Sequence, residues 1–434
     1  MKNIVVFGAG KSSTFLIDYL IDQLPANQWK LTVLDADLKA AQTRTSNAAF
    51  TEAYGLNAEN EKERKSYIAQ ADIVISLLPP TLHYLVALDC IEYGKNLLTA
   101  SYIDSQIEHL RTAIQAKGLL FLCEMGLDPG IDHMSAMRII DRLRILHAKV
   151  DVFRSHCGGL VAPESDDNPW RYKVTWNPRN VILAGKSGAV YKENTIPKQL
   201  SYEQLFDPER TVNINALGPL SYYPNRDSLP YIELYALQDA NDFIRTTLRY
   251  PEFIAGWKNI IRMKLTDETS GYDTDGKTLK AFFEAHFKEF NISVTDYPEM
   301  NEQLVYLGIS DELTVINRGR QTAAEVLQFV LEKKLALKPA DKDMIVMLHE
   351  IEYTLNSKQH YLKSSLIVKG TDAIHTAMAK TVGLPLGIAA KLILQGKITA
   401  KGLRIPVTRE IYGPVLAELE TLGIVFMESD SFLA

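Results

Sequence analysis

At about 150 residues per domain the 434 residues predict two or three domains. With 46% hydrophobic and 23% charged residues the chain buries enough core to need no disulfide or metal staple. A net charge of −6 argues against an extended nucleic-acid face, though not against a local basic pocket for a small anion.

The three cysteines, Cys90, Cys123 and Cys157, are too few and too widely spaced for a disulfide framework, and a reducing cytoplasm is the simplest compartment for them. No apolar run reaches about 18 residues, so no membrane span is expected. The apolar start before Lys11 and Asp18 is too short for a signal peptide.

In chain order, residues 4–7 form a short apolar run ending in glycines, a buried strand. Leu16, Ile17, Leu20, Ile21 and Leu24 then recur at helical spacing, with Pro25 just beyond. Strands are expected at 31–34 (closing on Asp35), 73–78, 96–99 and 119–123, with helical stretches between. Such βα alternation with near-continuous apolar strands predicts a parallel sheet covered on both faces.

After Gly126 the texture becomes α+β. A helix is expected at 131–146, a strand at 149–155, and strand-like pieces at 173–176, 181–183 and 231–237. Residues 277–350 read as mostly helical, at 279–290, 322–335 and 341–353. A hairpin of 349–355 with 364–368 and a last helix at 372–394 follow.

Gly8-Ala9-Gly10-Lys11-Ser12-Ser13, between first strand and first helix, has the setting of a dinucleotide-binding turn. Gly8 permits the tight turn, Gly10 lets backbone approach a pyrophosphate at the helix amino end, and Ser13 replaces the third glycine. Asp35 ends the second strand, where a carboxylate accepts the ribose hydroxyls of NAD and repels a 2′-phosphate. Its plainer reading is a helix cap before Leu38.

Gly271 to Thr278 matches the phosphate-loop pattern G-x-x-x-x-G-K-[ST], but no buried strand precedes it, and Asp273 and Asp275 would oppose a triphosphate. A polar turn capping the helix at Leu279 fits better. His349-Glu350 lacks a second histidine four residues on and no C-x-x-C occurs, so no metal site is expected.

Three polar clusters remain: Ser101-Tyr102, Glu124 to His133, and Ser155 to Gly159 with Pro163-Glu164-Ser165. The first two follow predicted strands at the end where parallel sheets bind ligands. Each alone is compatible with ordinary turn chemistry.

Together they resemble the saccharopine dehydrogenase family of the L-glutamate-forming type. The resemblance rests on Gly8-Ala9-Gly10, Ser101-Tyr102 and Gly-Leu-Asp-Pro-Gly-Ile-Asp-His at 126–133. It rests also on Cys157-Gly-Gly-Leu, Ala-Pro-Glu-Ser-Asp-Asp-Asn-Pro at 162–169, Tyr-Pro-Asn-Arg-Asp-Ser at 223–228 and Thr-Leu-Arg-Tyr at 247–250. It is specific over residues 1–255 and diffuse beyond.

It implies an α/β fold: a Rossmann domain at 1–126 with about 371–434 packed back on it, an α+β substrate and dimerisation domain at 127–270 and 349–370, and a helical domain at 271–348. It implies NAD(P)-dependent oxidation at the secondary amine of saccharopine, giving L-glutamate and α-aminoadipate semialdehyde, or the reverse. It also implies a homodimer, while the charge and the lack of a long apolar run lead us to expect no nucleic-acid or membrane partner.

Carried over by motif, Tyr102, Asp128 and Cys157 are the proton-transfer candidates; Cys157 also reads as a small packed hydrophobe. Ser101, Tyr102, Asp128, Arg226, Thr247 and Arg249 are substrate-binding candidates, the arginines because saccharopine carries three carboxylates. Gly8, Ala9, Gly10, Lys11, Ser12, Asp35, Leu77 and Leu127 are cofactor-binding candidates.

Lys11-Ser12, Asp35 and Val161 depart from the family's usual pattern, and Asp35 favours NAD over NADP. The alternatives are a related amine-coupling enzyme such as carboxynorspermidine dehydrogenase, whose polyamine favours an acidic pocket, and a nucleotide-binding protein without turnover.

Overall fold

Ile4, Val5 and Val6 are fully excluded from solvent, which makes the first strand, β1 (Lys2–Phe7), a central one. The computed structural model describes residues 1–433, in two compact units. One comprises Met1–Lys149 with Ile374–Met427, the other Val150–Ala373 with the residues from Glu428 onward.

In the first unit β1 leads through a 3₁₀ turn to α1 (Thr14–Asn27) and then β2 (Trp29–Asp35), α2 (Leu38–Thr45), β3 (Thr51–Gly55), α3 (Glu61–Ala69), β4 (Ile73–Ser76), α4 (Pro80–Glu92), β5 (Asn96–Thr99), α5 (Ser105–His109), α6 (Arg111–Ala116), β6 (Leu120–Leu122) and α7 (Ile131–Ile145). The sheet order is β3-β2-β1-β4-β5-β6, with Gly402–Arg404 beyond β6, and every pairing is parallel. Val6 pairs with Val33 on one side and Ile75 on the other. The strand order reverses between β1 and β4, the switch point where open parallel sheets bind ligands.

Four local readings change here. Helix α1 continues through Pro25 to Asn27, capped by left-handed Gln28. Strand β3, which alternation did not reveal, is an edge strand with little burial. Helix α7, expected with the second domain, lies in the first unit, where Tyr412 donates to Asp141 at 2.7 Å. The helix Ala377–Leu394 is long and apolar enough by length and composition to cross a membrane. It is mostly buried and packs on α1: a Cβ at Gly383 would meet the Leu16 nitrogen at 2.7 Å.

The second unit is built on a mixed sheet that runs through strands Thr211–Ile214, Gly218–Pro224, Asp242–Arg249, Lys149–Val161, Asp343–Leu355 and Lys358–Lys369. The strand expected to stop at residue 155 continues through Gly158-Gly159. A Cβ on Gly158 would meet the Leu248 carbonyl oxygen at 2.4 Å, so glycine there marks close backbone approach rather than a turn. The helix expected over 341–353 is the strand Asp343–Leu355. Its first nine residues are all buried, and a strand buried on both faces shows no alternation. It pairs antiparallel with Lys358–Lys369 across Asn356-Ser357, both in left-handed conformations.

The pieces at 181–183 and 231–237 fall on short helices, Pro178–Leu183 and Leu229–Leu234. Asn177 caps the first, and each has proline in its first turn. Residues 173–176 form only an isolated bridge, Val174 to Ala336. The helices within 271–348 share one core with Trp170, Phe253 and Trp257 and form no unit of their own. Thr278 caps the helix Leu279–Glu289 by accepting from Ala281 N–H, as the polar-turn reading required.

Candidate functional site

At the switch point of the first unit, Gly8 is left-handed and its N–H donates to the Leu34 carbonyl, while Leu77 N–H donates to Phe7. A Cβ on Gly8 would lie 3.0 Å from the Leu77 oxygen, so packing demands this glycine. A Cβ on Gly10 would meet no protein atom within 4 Å. The protein's own packing does not demand glycine there, and a diphosphate could approach the backbone closely. Lys11 is exposed, Ser12 half-buried, and Ser13 donates to the Gly10 carbonyl at 2.8 Å.

Asp35 does not cap α2; Asp37 does, accepting from Lys39 and Ala40 N–H. Asp35 instead clamps the glycine turn. One carboxylate oxygen accepts from Ala9 N–H at 2.7 Å and the other from Asp37 N–H at 2.8 Å. These bonds leave lone pairs for ribose hydroxyls, so the turn, the helix amino end and the carboxylate together fit a dinucleotide.

After β5 and β6 the polar clusters meet. Tyr102 donates to Asp128 Oδ1 at 3.2 Å. Asp128 is half-buried in a tight turn closed by Gly126 N–H to the Pro129 carbonyl and Ile131 N–H to the Gly126 carbonyl. Leu127 beside it is buried. Beneath the turn, His133 donates to Glu124 at 2.8 Å and Glu124 accepts from Ile103 N–H. Glu124 thereby ties the Ser101-Tyr102 segment to the Asp128 turn.

In the second unit, Cys157 is buried and in register with half-buried Thr247 on the parallel strand beside it. Arg249, two residues on, is 6% exposed. Its Nη1 donates to the Leu248 carbonyl at 2.7 Å, and the guanidinium lies over the rings of Tyr172 and Phe253 at 5.4 and 5.7 Å. Its Nε has no hydrogen-bond partner and no acid pairs with it among the described residues. Arg226 is exposed and left-handed, and its carbonyl accepts from Val190 N–H at 2.9 Å.

The chain matches two family models, the saccharopine dehydrogenase C-terminal domain over residues 126–424 and the saccharopine dehydrogenase NADP binding domain over 4–122. It is 32% identical to saccharopine dehydrogenase (NADP(+), L-glutamate-forming) of Saccharomyces cerevisiae, over 98% of this chain and 99% of that one. The chain belongs to the saccharopine dehydrogenase family.

The chain also spans about half the length of other relatives it matches. It covers 45% of the alpha-aminoadipic semialdehyde synthase of Arabidopsis thaliana at 32% identity, and 47% of that of Bos taurus at 33%. The solved apo saccharopine dehydrogenase (L-Glu forming) of S. cerevisiae superposes with a TM-score of 0.89 at 28% identity, over 99% of this chain and all of that one. A homospermidine synthase from Legionella pneumophila, at 10% identity and a TM-score of 0.57, shares the fold alone. As the NADP binding domain match implies, the first unit is a nicotinamide-dinucleotide domain.

Two features of this saccharopine dehydrogenase family member escaped sequence reasoning. His83 joins Ser76 and Ser101, at 2.8 Å from each. The only signal was a histidine in the first turn of a helix following a strand end. On the other face of the second sheet from Cys157, buried His156 is hydrogen-bonded through Nδ1 to Thr246 at 2.7 Å and donates to Glu350 at 3.2 Å, and Tyr361 also donates to Glu350. Burial alone would raise the Glu350 carboxyl, but the bonds from His156 and Tyr361 outweigh it and hold it at about 2. These partners lie up to 194 residues apart, beyond any motif.

Proposed function

We propose that this chain oxidises saccharopine at its secondary amine with a nicotinamide dinucleotide, giving L-glutamate and α-aminoadipate semialdehyde, or runs the reverse. The single observation that carries this reading is Arg249, a buried guanidinium with no acid partner among the described residues. Burying an unpaired charge is costly, and a ligand carboxylate would relieve it. The polyamine alternative would call for a carboxylate kept for the ligand in place of this guanidinium.

In this reading the Gly8–Gly10 turn and Asp35 hold the dinucleotide, which supplies a hydride acceptor. Asp128, oriented by Tyr102, moves the proton that must leave the substrate nitrogen and positions the water that opens the imine. Ser101 is the first unit's further substrate-binding candidate, and Cys157, Thr247 and Arg249 are those of the second unit; Arg226, exposed, contributes less.

We also propose that Asp35 makes NAD the better cofactor, although the S. cerevisiae relative is named for NADP(+), because a 2′-phosphate would face a carboxylate at the end of β2. The reading includes a cytoplasmic homodimer, whose stoichiometry light scattering tests. The functional experiment incubates purified protein with saccharopine and NAD or NADP, follows absorbance at 340 nm and assays glutamate. Saccharopine-dependent glutamate formation, faster with NAD, is expected; no turnover with either cofactor defeats the assignment.

A further inference from the structure

One buried histidine bridges the carboxyl ends of two neighbouring parallel strands. Ser76 ends β4 and Ser101 lies just past β5. His83, in the first turn of α4, places Nδ1 2.8 Å from Ser76 Oγ and Nε2 2.8 Å from Ser101 Oγ. Burial pushes the His83 imidazole down to about 4, so at neutral pH the ring carries one N–H and one acceptor nitrogen.

Which nitrogen holds the proton follows from Ser76. That serine is fully buried, and the only side-chain partner of its hydroxyl among the described residues is His83 Nδ1. A hydroxyl so enclosed must donate its proton to that nitrogen or leave it unsatisfied. The ring proton therefore sits on Nε2, which faces two hydroxyl oxygens, Ser101 at 2.8 Å and Thr99 at 3.4 Å. One N–H can be shared between two acceptors, whereas two hydroxyl donors would compete for one lone pair. Ser101 N–H donates to Thr99 Oγ1 at 3.2 Å, which holds the serine backbone to the same cluster.

We propose that His83 is a positioning residue that fixes the half-buried Ser101 hydroxyl as a hydrogen-bond donor for a substrate carboxylate. Because Nε2–H occupies a lone pair of the Ser101 oxygen, the serine's own proton stays available to an acceptor on the ligand. The inference rests on the reading of the protein as an enzyme acting on saccharopine with Ser101 at the substrate.

The test uses the full chain with saccharopine and its better cofactor, comparing His83→Leu, His83→Gln, Ser101→Ala and the double variant His83→Leu/Ser101→Ala. Losing this donor is expected to raise the saccharopine KM roughly tenfold in His83→Leu and in Ser101→Ala, with kcat and cofactor Kd little changed. The glutamine amide N–H, which reaches where Nε2–H lies, should restore most of the loss. The double variant should be no worse than Ser101→Ala alone, because both act through one bond. Nitrogen-15 NMR of the imidazole at pH 7 should show the neutral Nε2–H tautomer.

A proton on Nδ1, a charged ring, fully additive effects, a Ser101→Ala variant with normal KM, or loss of cofactor binding in place of substrate binding would each overturn the proposal. If the unmodified protein does not oxidise saccharopine, the functional reading falls and the proposal with it. If it does and the variants misbehave, only the proposal falls.

Discussion

The two units handle polar side chains in opposite ways. In the parallel sheet they gather past the carboxyl ends of strands, each held by a local partner: Asp35 by Ala9 and Asp37 N–H, Asp128 by Tyr102, Ser101 by His83. In the mixed sheet they lie within the strands. One face carries a fully partnered cluster, His156 with Thr246 and Glu350, and Arg249 stands without an acid among the described residues. The proposed ligand contacts therefore rest on topology in the first unit and on an unbalanced charge in the second. The partnered cluster, by the same logic, is structural.

That contrast can be broken most sharply at Asp128. Asp128→Asn should lower kcat by about 10²–10⁴-fold, more than it raises KM, with the fold intact. A near-normal kcat would reduce the turn after β6 to a structural feature.

The partnered cluster should instead report in stability. The Glu350 carboxyl, held at about 2, lies below its ordinary value of about 4.3, so its contribution is fully present above that value and is lost as pH falls through about 2. Glu350→Gln should then cost on the order of 2–3 kcal/mol at neutral pH in urea unfolding, with the gap closing between about pH 4 and pH 2. A gap independent of pH would remove the carboxylate from the account.

Gly158→Ala, which drives a Cβ against the Leu248 carbonyl, should destabilise by about 1–3 kcal/mol, seen as a lower Tm. The smallest effect is expected at Asp35. Asp35→Ser should shift the NAD-to-NADP ratio of kcat/KM roughly tenfold towards NADP, a change of about 1.4 kcal/mol. An unchanged ratio would make Asp35 only the clamp of Ala9.

What could be read beforehand follows the same division. The parallel sheet was legible because its strands are continuous apolar runs ended by glycine, proline or aspartate, and its crevice residues lie within a few positions of those ends. Tyr102 and Asp128 were found on motif alone, and their bond then appeared. The mixed sheet was less legible: Asp343–Leu355 is buried on both faces and lost its alternation, and Gly158-Gly159 reads as a turn until Leu248 is seen against it. Arg226 and Arg249 looked equivalent in sequence. Burial separates them, and burial depends on Tyr172 and Phe253, which no local pattern connects to Arg249. Nor could the His156–Glu350 pairing be anticipated, because strand order decides it.

The central claim is that Arg249 is kept buried for a ligand carboxylate, and it predicts that function and stability separate there. Replacing an arginine that holds the fold together lowers stability, whereas removing an unpaired buried charge in favour of an apolar side chain leaves it unchanged or raises it. The measurement is the saccharopine KM and the Tm of Arg249→Met beside those of Arg226→Ala. The account predicts that Arg249→Met raises KM by at least about 30-fold, equivalent to about 2 kcal/mol, with Tm unchanged or higher, while exposed Arg226→Ala changes KM only a few-fold. A lower Tm with a normal KM in Arg249→Met, or the larger KM effect at Arg226, would contradict it.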